Sequence, residues 1–121
     1  MNPYDIHFYF ENTETSITNS LEIRQELKDE FPYLNFYQPH LKKIGPHPQP
    51  MWEADFSKFD LKHDKNEVEK QIKLIETWFK ENEKCNDHSI LIHPNTKDGL
   101  KDHTDNAIWV GQKLDLNLDV F

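Results

Sequence analysis

The sequence has little cysteine, little glycine and no long hydrophobic run. Cys85 is the single cysteine among 121 residues, which excludes an internal disulfide and the cysteine-rich zinc motifs. The chain has three glycines and contains no glycine-rich phosphate loop, and it also lacks the HExxH and GxSxG motifs. Its longest apolar stretches, such as 107–110, span about four residues, whereas a membrane span needs about 20.

Basic residues are also few, since 14 Lys and Arg stand against 22 Asp and Glu and give a net charge of -8 with neutral His. This balance disfavours nucleic acid and anionic membranes as partners, because both require a basic surface. The first residues, MNPYD, show neither the cationic flank nor the apolar run of a secretion signal. We therefore expect a cytoplasmic protein that forms a single domain over residues 1–121.

What the sequence does contain is many aromatic rings, from three Trp, four Tyr and eight Phe. A charged fraction of 30% and a mean hydropathy of -0.89 do not by themselves exclude a disordered chain. Because each ring can bury a large area, the aromatic content instead predicts a small packed core.

Hydrophobic alternation predicts five strands. The clearest is 4–10, where Tyr4, Ile6, Phe8 and Phe10 alternate with more polar positions. The other predicted strands are 33–37, 51–56, 89–92 and 106–110. A further alternation at 114–120 predicts an extended tail that covers a sheet edge or crosses to a partner subunit.

Three- and four-residue spacing predicts two helices, one at 16–31 and one from Asp64 to about residue 81. Asp64 and Glu67 are suited to cap the second helix. The predicted buried stripe of the first helix is Ile17, Leu21, Arg24, Lys28 and Phe31, with Leu27 beside it. That of the second is Val68, Ile72, Ile75 and Phe79, widened by Leu74 and Trp78.

The order strand, helix, strand, strand, helix, strand is that of the split βαβ arrangement in ferredoxin-like folds. We expect an α+β sandwich in which one antiparallel sheet carries both helices on one face, because both crossovers should be right-handed. The sheet face toward the helices is predicted to carry Ile6, Phe8, Phe10, Trp52, Ala54, Phe56, Ile90 and Ile92. The opposite face is predicted to carry Asp5, His7, Tyr9, Glu53, Asp55, Ser89, Leu91 and His93. Converging polar groups of this kind are typical of a ligand site.

Four of the seven histidines stand out as functional candidates. His7 lies on the polar face of the first strand, and His47 and His93 each precede a proline that restricts the backbone and so fixes the direction of the imidazole. His103 lies between acids in the sequence DHTD, where a carboxylate could orient it. Structural roles are the alternative for all four, and we expect only structural roles for His40, His63 and His88.

The residue types limit the chemistry of such a site. Without thiolates, a structural zinc site is not expected. Imidazoles with an optional carboxylate, from Glu53 or Asp55, suit zinc, copper or non-haem iron, and the spacing alone does not select among these metals.

Several longer strings together resemble one protein family. YDIHFYF, GPHPQPMWEADF, LIHPNTKDGLKDHTDNAIW and the terminal LDL resemble, in this order, the DOPA 4,5-dioxygenase family of aromatic ring-opening enzymes. The resemblance extends from Tyr4 to about Leu116. It implies a small α+β fold that pairs into dimers, expected here as a dimeric α/β barrel, and an extradiol cleavage of a catechol such as DOPA by dioxygen at a mononuclear non-haem Fe(II).

The residues that look like the site of this family are His7, His47, His93 and His103. We expect the first three to be metal ligands, with Glu53 as the carboxylate if one is used. We expect His103 to be the catalytic acid and base, oriented by Asp102 or Asp105, and Tyr9 to contact the substrate hydroxyls. The sequence does not reveal the physiological substrate, nor whether zinc or another divalent metal replaces Fe(II) in the purified protein.

Two other functions are compatible with the sequence. The domain could bind a metal or a small aromatic compound without catalysis, with the histidines contributing only affinity. It could also be a cofactor-free monooxygenase built on a dimeric α+β barrel, which would need no metal.

Overall fold

The computed structural model describes residues 2–59 and 65–121. The strands are β1 (Tyr4–Tyr9), β2 (Asn35–Phe36), β3 (Met51–Asp55), β4 (Ser89–Pro94) and β5 (Ile108–Val110). The helices are α1 (Glu14–Glu30), α2 (Lys65–Glu81) and the short α3 (Gly99–Asp102). Two 3-10 turns, at Glu83–Cys85 and Leu118–Val120, complete the described secondary structure.

The five strands form one antiparallel sheet in the order β2-β3-β1-β4-β5. The first four strands have the arrangement that a split βαβ motif requires, because each helical crossover passes over one intervening strand. The predicted α+β class and antiparallel sheet are therefore confirmed, and α3 and β5 extend the motif. Assembly into a dimer or a barrel stays a prediction.

One face of the sheet packs against α1 and α2 to form the main core. Every residue that alternation assigned to this face is buried there: Ile6, Phe8, Phe10, Trp52, Ala54, Phe56, Ile90 and Ile92. The predicted stripe of α2 is also confirmed, since Val68, Ile72, Ile75 and Phe79 are buried. Trp78 packs partly against this core, but Leu74 does not, since it is 47% exposed. The predicted cap at Asp64 and the loop residue His63 lie outside the described residues.

The predicted stripe of α1 is partly wrong. Its buried positions are Ser20, Ile23 and Leu27, whereas Leu21 is 42% exposed. The reason is a close approach between α1 and β3, where the carbonyl oxygen of Ser20 accepts a hydrogen bond from the indole of Trp52 at 3.1 Å. A small residue permits this approach, and hydropathy alone does not reveal it. The helix also begins two residues before its predicted start, because the Thr13 side chain caps it by accepting a hydrogen bond from the Ser16 amide.

The tail after β5 also differs from its prediction. Leu114 and Leu116 pack on the second face of the sheet, against Tyr9, Met51 and Leu91, rather than along a sheet edge. The tail therefore buries its apolar side chains against its own chain and covers part of the polar face. None of the helices in the described part of the chain has the length and apolar character required to cross a bilayer.

Candidate metal centre

The register of the three central strands brings the polar side chains together. Side chains alternate along a strand, so Asp5, His7 and Tyr9 of β1 share one face. Asp5 lies directly opposite His93 on β4, and His7 lies directly opposite Glu53 on β3. Residues that are far apart in sequence thus form one cluster on the sheet face away from the long helices.

Two imidazole nitrogens form the centre of this cluster. The Nε2 atoms of His7 and His93 are 3.0 Å apart. Asp5 Oδ2 lies 3.7 Å from Nε2 of His93, and Glu53 Oε1 lies 3.8 Å from Nε2 of His7. One ligand atom from each of Asp5, His7 and His93 falls within 4.8 Å of the others, which makes them a group that could hold a metal ion.

This donor set fits a divalent transition metal. The Nε2 atoms of His7 and His93 could both bind one ion, because they lie 3.0 Å apart and a metal–imidazole bond is about 2.1 Å long. Nδ1–H of His93 donates to the carbonyl oxygen of Pro94 at 2.8 Å, so neutral His93 carries its lone pair on Nε2. Two imidazoles and a carboxylate form the donor set typical of non-haem Fe(II) oxygenases. Without an ion, the same spacing lets one Nε2 donate to the other.

His47 comes to the cluster from the proline-rich loop. Gly45, at a φ of 55°, turns the chain there, and the His47 amide donates to the carbonyl oxygen of Ile44. Nδ1 of His47 is hydrogen-bonded to the Tyr9 hydroxyl at 2.6 Å, and the rings of His47 and His7 have centroids 4.1 Å apart. His47 and Tyr9 thus lie beside the cluster with a direct bond between them, while the predicted roles of His47 as a metal ligand and of Tyr9 as a substrate contact stay predictions.

His103 follows α3 and is held by the backbone. Its Nδ1–H donates to the carbonyl oxygen of Gly99 at 2.7 Å, and its ring centroid lies 4.0 Å from that of His93. The expectation that Asp102 orients His103 is wrong. The carboxylate of Asp102 instead accepts from the amide and hydroxyl of Thr96, and Asp105 is exposed. A catalytic role for Asp105 stays a prediction.

Burial sets the protonation of the cluster. It lowers the pKa of His7 well below its usual value, with further lowering from the neighbouring histidines. The pKa of His47 falls to about 4 for the same reasons, and that of His93 is also lowered. Burial beside Asp5 and Asp55 raises the pKa of Glu53 to about 7. The imidazoles of His7, His47 and His93 are therefore neutral near pH 7, the form in which an imidazole binds a metal.

Sequence reasoning missed Asp5 as a candidate ligand. The signal was present, because Asp5 lies two residues before His7 and therefore projects from the same strand face. The carboxylate of Asp55, the other acid considered as a ligand, has a structural role instead. It accepts hydrogen bonds from the Tyr37 hydroxyl and from the amide and hydroxyl of Ser57, which tie β3 to its flanking loops.

A small depression adjoins the cluster beside His103. Its volume is about 160 Å³, and apolar side chains of Trp109, Leu114 and Leu116 contribute to its wall. The Trp109 ring also lies nearly parallel to the Tyr9 ring, with centroids 6.0 Å apart, so the wall of the depression is continuous with an aromatic residue of the candidate site. Such a wall is suited to the edge or substituent of a planar aromatic ligand.

Two known proteins resemble the chain along nearly its whole length. An uncharacterized 21.2 kDa protein of Botryotinia fuckeliana is 30% identical over an alignment of 125 positions, and this alignment covers 97% of the chain. The chain spans 62% of the length of that relative. A crystal structure of a candidate dioxygenase from Nostoc punctiforme has the same fold, with a TM-score of 0.73 and 24% identity over 99% of this chain and 90% of that one.

The family is established by a match over almost the entire sequence. The sequence profile of the Dopa 4,5-dioxygenase family matches residues 4–120. This range contains the whole sheet and every histidine of the cluster. The chain belongs to the Dopa 4,5-dioxygenase family.

Proposed function

We propose that the chain is an extradiol dioxygenase that opens the ring of a catechol, such as DOPA, with Fe(II) and dioxygen. The observation that carries the proposal is the pair of His7 and His93 Nε2 atoms 3.0 Å apart beside the Asp5 carboxylate. Family membership supports the reaction class, and the donor set supports the metal.

The residues that would hold Fe(II) are His7, His93 and Asp5, with His47 and Glu53 next to them. When bound, Fe(II) supplies the Lewis acidity and one-electron chemistry that a catechol and dioxygen need in order to react. The side chains of His7 and His93 are almost fully buried, at 3% and 2% exposure. Burial excludes bulk water and strengthens every charge interaction within the site.

His103 is the group best placed to move a proton. Its Nδ1–H is committed to the carbonyl oxygen of Gly99, so its lone pair resides on Nε2. Nε2 can therefore accept a proton from a catechol hydroxyl and later return it. The backbone bond fixes this tautomer without any carboxylate partner.

Tyr9 and His47 form a second polar pair for the substrate. Burial raises the pKa of Tyr9, so its hydroxyl stays neutral and can both donate and accept. Its bond to Nδ1 of His47 holds that hydroxyl on the face that carries the donor atoms. We infer that the pair orients the two substrate hydroxyls toward the ligand cluster.

The first experiment is reconstitution of the purified protein with ferrous iron under anaerobic conditions, followed by DOPA and air. We expect oxygen uptake together with a yellow ring-opened product. His93→Ala should lose both bound iron and turnover, because one of the two central nitrogens is removed. His40→Ala is the matched control, because the bonds of His40 to Met51 are made by the backbone and survive the change; it should retain iron and most of the activity.

Three outcomes would contradict the proposal. Full iron occupancy and turnover in His93→Ala would refute the ligand assignment. Oxygen uptake that a chelator leaves unchanged would indicate a cofactor-free monooxygenase. Tight binding of several catechols without any oxygen uptake would indicate a non-catalytic binding domain.

A further inference from the structure

The ring of Phe121 packs on the imidazole of His103. Their centroids are 4.5 Å apart and their planes are inclined by 34°. The tail is brought there by the packing of Leu116 on the sheet and by the Asn117 amide, which donates to the carbonyl oxygen of Pro46 at 2.8 Å. Phe121 is nonetheless 49% exposed, so its ring contributes little to the core of the protein.

Gly99 takes part in both contacts that fix His103. Its carbonyl oxygen accepts the Nδ1–H of His103. A Cβ atom on Gly99 would lie 2.9 Å from Cδ1 and 3.2 Å from Cε1 of Phe121, so the ring occupies the space that any other residue would fill. Glycine at this position therefore leaves room for the phenyl ring against the start of α3, and a larger residue would have to displace the ring.

These contacts restrain the imidazole of His103 in two ways. The hydrogen bond to Gly99 fixes one ring atom, and contacts with the rings of His93 and Phe121 limit rotation of the ring plane. A proton-transfer group must be held close to its productive direction, because small displacements lower the rate strongly.

We propose that Phe121 is a positioning residue for His103, which keeps the imidazole in the orientation in which Nε2 exchanges a proton with the substrate. The proposal rests on the proposed function, since it assigns the purpose of the contact to that reaction. The contact itself can be tested without any reaction, so the two can fail separately.

The contact is tested by NMR of the metal-free protein. The ring current of Phe121 should shift the carbon-bound protons of the His103 imidazole, and Phe121→Leu should abolish this shift. Gly99→Ala should reduce it with Phe121 still present, because the new Cβ displaces the flexible ring. Val120→Ala, at an exposed neighbouring position, should leave the shift unchanged. An equal imidazole shift in the wild type and in Phe121→Leu would overturn the proposal.

The purpose of the contact is tested by steady-state kinetics of the iron-loaded protein with DOPA. We expect kcat to fall about tenfold in Phe121→Leu, a fraction of what general acid–base catalysis contributes, with KM changed less than about twofold. Phe121→Tyr should restore most of kcat, because it retains the ring. The double variant Gly99→Ala/Phe121→Leu should have a kcat only slightly below that of either single variant, since both changes remove the same contact.

The outcomes separate this proposal from the proposed function. Wild-type kcat in Phe121→Leu, in a protein that turns over catechols, would refute the positioning role and leave the dioxygenase assignment intact. Absence of turnover in every variant, with the ring-current shift present, would refute the dioxygenase assignment and with it the purpose of the contact.

Discussion

At the scale of single residues, the backbone determines which nitrogen of each key histidine is available. The carbonyl oxygens of Pro94 and Gly99 accept Nδ1–H from His93 and His103, respectively. Both imidazoles therefore carry their lone pair on Nε2, which we propose serves a metal in His93 and a proton in His103. A hydrogen-bond partner on Nδ1 fixes the tautomer and the orientation of an imidazole and raises the basicity of its Nε2.

Asp5→Asn provides a residue-scale prediction on the metal. Asp5 contributes the carboxylate closest to His93 within the described cluster, so its replacement should weaken ferrous or zinc binding by about tenfold or more. Isothermal titration of the metal-free protein would measure the affinity. Asp105→Asn is the matched control at an exposed position and should bind as the wild type does. Equal affinities in the two variants would remove Asp5 from the ligand set.

At the scale of elements, prediction from the sequence succeeded where packing follows periodicity. Alternation in β1, β3 and β4 placed His7, Glu53 and His93 on one face, and the sheet register then brings them within reach of each other. Prediction failed where a contact depends on close backbone approach. The burial of Ser20 in α1 depends on such an approach, which the hydropathy pattern of the helix does not reveal.

The corrected face of α1 gives an element-scale prediction. Ser20→Leu should lower the free energy of unfolding by about 1–3 kcal/mol, because a larger side chain must enter a fully buried position. Leu21→Ala, at the adjacent exposed position, should change it by less than about 0.5 kcal/mol. Urea unfolding followed by Trp fluorescence would measure both values. A larger loss of stability in Leu21→Ala than in Ser20→Leu would instead support the buried stripe that the hydropathy pattern predicted.

At the scale of the whole molecule, buried neutral histidines make stability depend on pH. Burial lowers the pKa of His88, which is not among the candidate metal ligands and whose Nδ1–H donates to the backbone carbonyl oxygen of Tyr9. Below about pH 6.5 the unfolded chain binds a proton at such a histidine that the folded chain does not. This contribution to stability is therefore present above that pH and is lost as the pH falls.

His88→Asn tests this linkage in the metal-free protein. The wild type should lose free energy of unfolding between pH 7 and pH 5, and the variant should lose less over the same interval. The variant should also be less stable at pH 7, because bonds to Asn19 and Tyr9 are disturbed. Denaturant titrations at several pH values would provide the slopes, and identical slopes would contradict the assignment.

The sheet ends in very short strands on both sides, with two residues in β2 and three in β5. Edge strands this short offer few unpaired amide and carbonyl groups to another chain. They therefore disfavour the addition of a further strand and the aggregation that accompanies it. Self-association of this protein would accordingly have to proceed through side-chain surfaces rather than through continuation of the hydrogen-bond ladder.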